Sequence, residues 1–131
     1  MKTVKPNELE RQTRLDPAVR FTLLTGPDEA TMEAVAAHLI RLAGKDAERL
    51  DLTGTQLSQD PSLLAAEAAS MSLFSSARVI RVELSGSGDD GLAAVEALLA
   101  AETAINPVIA TGASVTAKSK LVKLVEGSDH A

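Results

Sequence analysis

The loop after the first apolar strand is where an α/β chain would hold phosphate, and here it reads Thr25-Gly26-Pro27-Asp28-Glu29-Ala30-Thr31-Met32. A nucleoside triphosphatase needs G-x-x-x-x-G-K-[ST] at that place, with glycines for close backbone approach and a lysine for the phosphates. This loop has one glycine, no lysine and two carboxylates where a helix begins. Asp28 and Glu29 satisfy the helix dipole themselves and repel an anion bound there. No G-x-G-x-x-G dinucleotide loop occurs either.

The other chemistry-bearing side chains are scattered. A magnesium carboxylate would end a hydrophobic strand, but the fourth strand ends Ile109-Ala110-Thr111-Gly112 without an acid. Glu83 ends the third strand, where a lone acid reads as a solvated strand end. A phosphoacceptor domain of response-regulator type wants an acidic pair directly after the first strand and an aspartate ending the third. Asp28 and Glu29 come too late for the pair, and no aspartate ends the third strand. His38 lies beside the apolar stripe of a helix and His130 lies near the end of the chain. No serine stands in a nucleophilic constellation with either histidine, and no cluster has metal-ligand spacing. The expectation is a domain with no catalytic residue, no metal and no cofactor.

A different kind of signal lies in Ser70-Met71-Ser72-Leu73-Phe74-Ser75-Ser76. Phe74 is one of two phenylalanines in a chain without tyrosine or tryptophan. It falls where a helix should be ending. One reading is a plug that closes the core where the helix meets the third strand, since Leu and Phe are among the most buried residue types. The other is an anchor for a partner's pocket. Small polar serines around the pair suit a solvent-facing protrusion, and Met71 adapts well to another protein's groove. Adjacent residues do not share a helix face, so both side chains point outward only from a terminal or non-helical turn.

The elements that must position these residues alternate. Arg20-Phe21-Thr22-Leu23-Leu24-Thr25 reads as a buried strand, and Met32, Val35, Ala36, Leu39 and Ile40 follow at helical spacing up to Gly44. Residues 48–52 form a second strand, turned by Thr53-Gly54-Thr55. Asp60-Pro61 supplies an N-cap and a first-turn proline for a helix carrying Leu64, Ala68 and Met71. Residues 78–84 are the clearest strand, and 85–91 a Gly/Ser/Asp turn. Leu92, Val95, Leu98 and Leu99 mark the next helix; Asn106-Pro107 leads into the strand 108–111. Residues 116–126 form the last helix, with Leu121, Leu124 and Val125 inward. Strand and helix thus repeat four times, which predicts an α/β fold: a three-layer parallel sheet with flanking helices. The domain spans 20–127. Residues 1–19, with a short helix over 7–14, form a leader on its edge, and 128–131 a flexible tail.

Composition narrows the class. At 131 residues the chain is one domain, and 45 % hydrophobic content supplies a core. With aromatics at 2 %, that core is aliphatic. Absence of cysteine excludes disulfides and thiolate metal sites. Residues 1–6 lack the apolar run of a signal peptide, and no stretch approaches the roughly 20 apolar residues of a membrane span. The expected location is cytoplasmic. A net charge of −5 opposes a grip on nucleic acid, and Lys118, Lys120 and Lys123 read as a solvated helix face.

Taken in order, Arg20 through Glu29, Glu48-Arg49-Leu50-Asp51, Asp60 through Ala68, Met71-Ser72-Leu73-Phe74, Arg78-Val79-Ile80-Arg81-Val82 and Lys118 through Leu124 form a set. In this set the chain resembles the N-terminal domain of the delta subunit of the bacterial DNA polymerase III clamp loader. The likeness spans residues 20–126 and lies in the ordered set rather than in any one piece. It implies an AAA+-like (Rossmann-like) domain without a phosphate-binding loop. It also implies a role in DNA replication: Met71, Leu73 and Phe74, flanked by Ser70 and Ser72, insert into an apolar pocket of the ring-shaped sliding clamp (beta). The domain then stabilises the sprung-open ring so that DNA enters. Such a domain is a non-enzymatic part of the DNA-directed DNA polymerase III holoenzyme. It contacts no nucleotide, no membrane, and DNA weakly or not at all. The class that competes with it is a degenerate nucleotide- or phosphate-binding α/β enzyme domain.

Family members run to roughly twice this length or more, as two further helical domains require. Those domains join the other clamp-loader subunits. The resemblance therefore implies a first domain on its own, in which clamp binding is retained and loader assembly and coupling to ATP are not.

Overall fold

The computed structural model describes residues 19–25, 29–42, 48–70, 78–84, 89–101, 104–112 and 120–127. The leader helix over 7–14 and the tail 128–131 lie outside the described residues. The elements are β1 (Phe21–Thr25), α1 (Glu29–Leu42), β2 (Glu48–Thr53), α2 (Gly54–Gln59), α3 (Leu63–Ala69), β3 (Arg78–Glu83), a 3-10 turn (Asp89–Gly91), α4 (Leu92–Ala100), β4 (Val108–Gly112) and α5 (Lys120–Glu126).

All strand pairings are parallel and the sheet order is β1-β4-β3-β2. Pairing is in simple register, with Phe21 beside Val108, Ile80 beside Val108 and Leu50 beside Ile80. β4 is central and buried along its whole length, which is why Val108-Ile109-Ala110 is apolar without alternation. The outer strand β2 instead alternates, with Arg49, Asp51 and Thr53 exposed.

Alternation along the strands sends side chains to two cores. Leu24, Val79 and Ile109 meet Met32, Val35, Ala36 and Leu39 of α1 on one face. Phe21, Leu52, Ile80, Val82, Val108 and Ala110 meet Leu57, Leu64, Ala68, Val95, Leu98, Leu121 and Val125 on the other. Burying each Val, Leu, Ile, Met or Phe side chain among them contributes about 1.5–3 kcal/mol. Phe21, the first residue of the edge strand β1, is fully buried in the second core. α1 carries the chain from one sheet edge to the other on one face, and α3 and α4 step it back on the opposite face. Reversing both direction and face keeps one handedness throughout, as parallel crossovers demand.

In this order β1 and β2 occupy opposite edges. Dinucleotide-binding and flavodoxin-like sheets both place them side by side. The likeness to those folds is therefore one of layers and not of strand order, and the response-regulator alternative loses its scaffold.

Two local expectations change. Residues 53–55 are not a simple turn: Thr53 caps α2. Its side chain accepts from the Gln56 N–H at 3.3 Å, and the Gln56 side chain accepts from the Thr53 N–H at 2.9 Å, a reciprocal capping box. Asp60 then closes α2 and does not open the next helix directly. Its carboxylate accepts from the Ser62 N–H and hydroxyl at 3.2 and 2.7 Å, and α3 begins at Leu63.

Candidate functional site

Met71, Ser72, Leu73 and Phe74 lie outside the described residues, as do 26–28, Lys118 and His130. What the structure places is the frame on both sides of segment 71–77: Ser70 after α3 and Arg78 opening β3.

That frame is a polar knot. The Arg78 guanidinium donates through Nη1 to Glu67 Oε2 at 2.9 Å and to Ser70 Oγ at 2.7 Å, and through Nη2 to Glu48 Oε2 at 3.2 Å. Its side chain is 14 % exposed, so these bonds lie partly out of solvent. The Ser70 hydroxyl donates to the Glu67 carbonyl at 3.1 Å. Asn106, buried just before β4, donates through Nδ2 to the carbonyls of Glu67 and Ser70 at 2.9 and 2.7 Å. The Ile105 and Asn106 N–H groups both donate to the Ala68 carbonyl at 2.9 Å. Carbonyls at the end of a helix have no partner within it. Here the 104–107 connection supplies them from outside.

Sequence reading names Ser70 only as a flank of the clamp-binding segment and does not foresee its meeting with Arg78, Glu48, Glu67 and Asn106. Their separations along the chain follow no helical or strand period. The one available signal was Asn106-Pro107, an Asx-Pro pair read only as leading into a strand.

Glu83 is exposed at the end of β3 and lines a shallow pocket of about 340 Å³ with Glu33, Arg49, Asp51, Leu52, Thr53 and Arg81. Both arginines are already engaged. Arg81, nearly buried, donates to Glu33 Oε1 and to the Val82 carbonyl, each at 2.7 Å, and Arg49 pairs with Asp51 at 2.8 Å. Three carboxylates against two paired guanidiniums leave no excess positive charge for a phosphate. Among the described residues no group of three or more His, Cys, Asp or Glu is placed to hold a metal ion. His38 is half-buried on α1, beside buried Leu39. Lys120 and Lys123 are exposed on α5 while Leu121 and Val125 are buried, so these lysines occupy its solvent side. Among the described residues no helix is long and apolar enough to cross a membrane.

No family model, no curated protein and no solved structure matched the chain in comparison.

Proposed function

We propose that the chain is the clamp-engaging first domain of a clamp-loader delta subunit, which binds a ring-shaped sliding clamp through Met71, Leu73 and Phe74 and stabilises its opened form. The observation that carries the reading is the ordered resemblance over residues 20–126, five of whose pieces fall on strands and helices in chain order. Arg20 to Thr25 runs through β1, Glu48 to Asp51 through β2, Leu63 to Ala68 along α3, Arg78 to Val82 along β3, and Lys120 to Leu124 along α5. Support also comes from the strand order, which differs from the doubly wound dinucleotide arrangement, and from the acidic start of α1 where a phosphate loop would stand. The domain acts by binding and not by catalysis. A ligand shifts an open–closed equilibrium only through differential affinity, so the domain binds the opened ring more tightly than the closed one. Contacts to the other loader subunits belong to further domains.

The test is the double variant Leu73→Asp/Phe74→Asp in a pull-down with the sliding clamp of the same organism. Apolar anchors of this type each contribute about 2 kcal/mol or more. The variant is expected to lose the clamp while its circular dichroism matches the parent. Unfolding of the variant would identify the pair as core, and retained binding would remove it from the interface.

A further inference from the structure

We propose that the outer edge of β1 is a self-association surface, on which a second copy of the chain pairs antiparallel and extends the sheet. The inference is independent of the clamp reading.

The ladder decides which backbone groups of β1 face outward. The Val108 N–H donates to the Arg20 carbonyl at 3.0 Å, and Phe21 lies beside Val108 in the register. Backbone groups alternate in direction along a strand, so Thr22 and Leu24 turn their N–H and C=O toward β4. Those of Phe21, Leu23 and Thr25 turn away from it, and among the described residues no strand lies on that side. Unpaired strand edges invite another strand, and proteins blunt them with charge. The opposite edge is blunted in this way: β2 carries Glu48, Arg49 and Asp51, the last two exposed. β1 reads Phe21-Thr22-Leu23-Leu24-Thr25, without a charge. Even the flanking Arg20 is drawn aside, since its Nη1 donates to the Leu98 and Ala101 carbonyls at the end of α4. These facts select a second copy as the occupant. A twofold axis beside Leu23 and normal to the sheet sets Leu23 opposite its own counterpart and Phe21 opposite Thr25. Every outward N–H then meets an outward carbonyl. The opposed side chains, Phe21 with Thr25 and Thr22 with Leu24, are uncharged, which matters for two copies that each carry a net charge of −5.

The test is sedimentation velocity of the parent chain over a concentration series, joined to residue-resolved amide exchange. The expected result is a reversible monomer–dimer equilibrium. The Phe21, Leu23 and Thr25 amides exchange fast in the monomer and slowly in the dimer, while those of Thr22 and Leu24 stay protected in both by β4. Thr25→Pro removes an outward donor from each copy at an exposed position whose N–H the sheet does not use. It weakens the dimer by roughly tenfold or more, and Thr25→Val, which keeps the N–H, does not. If Thr25→Pro does not fold, the exchange pattern of the parent decides alone. A chain that stays monomeric up to roughly 1 mM overturns the proposal. So does a dimer whose outward amides still exchange fast, since it joins through another face. Slow exchange of those amides in the monomer also overturns it, because the edge is then covered within one chain.

Discussion

Asn106→Asp is the sharpest test of how the end of α3 is held. The substitution keeps the shape of the side chain but replaces its donor NH₂ with an acceptor oxygen. In the parent, Nδ2 donates to the Glu67 and Ser70 carbonyls at 2.9 and 2.7 Å, and the residue is 6 % exposed. Two bonds at about 1 kcal/mol each are lost, and a buried carboxylate facing two carbonyl oxygens adds at least about another 1 kcal/mol. The total, about 3–4 kcal/mol at neutral pH, is a large share of a typical folding free energy of roughly 5–15 kcal/mol. Converted for a chain of this size, it lowers the melting temperature by roughly 10–15 °C. The penalty also depends on pH. Burial and the facing carbonyls raise the new carboxyl's pKa in the folded state above its unfolded value, so the native state binds more protons as pH falls. Variant stability relative to the parent therefore rises as pH drops from 7 through the raised folded pKa, and levels off below the unfolded value near about 3.9. Urea unfolding at pH 7 and pH 5 measures this, with Asn106→Ala as the control that loses about 2 kcal/mol equally at both. An Asp variant within about 1 kcal/mol of the parent at pH 7, or a penalty equal at the two pH values, would refute the capping role.

Three other outcomes follow from the same structure. A Cβ at Gly54 would collide with the carboxylate of Asp90. Gly54→Ala, favourable in an open helix, is expected here to cost about 1–3 kcal/mol in denaturant unfolding, mostly relieved in an Asp90→Gly background; a stabilised single variant would count against this contact. Calorimetric titration with ATP and magnesium should give no binding heat, and saturable heat would favour the degenerate nucleotide-binding alternative. Binding of this chain to duplex DNA should be negligible at physiological salt, and a steep loss of binding with rising salt would instead assign a DNA contact to the lysines of α5.

The sheet was legible because its signals are local. Arg78 to Glu83 is a β-rich run, β4 is apolar on both faces, and Val35, Leu39, Leu64, Ala68, Val95 and Leu98 repeat at helical spacing and are buried. α2 was missed because its six residues carry little apolar periodicity, although Thr53 and Gln56 hold the capping-box spacing. Asp60 misled for a related reason. The same side chain that caps a helix also makes an Asx turn, and only the position of α2 decides between them. The strand order was not legible, since sequence shows alternation but not which edge each strand takes. The knot of Glu48, Glu67, Ser70, Arg78 and Asn106 was not legible either. Its members come from four different parts of the chain and meet only once the sheet is assembled.

The proposed function is engagement of a sliding clamp through Leu73 and Phe74. Calorimetric titration of the chain into the clamp of the same organism tests it most directly. Saturable binding that disappears with Leu73→Asp/Phe74→Asp is the predicted result. Absence of binding by the parent, or undiminished binding by a folded double variant, would contradict it.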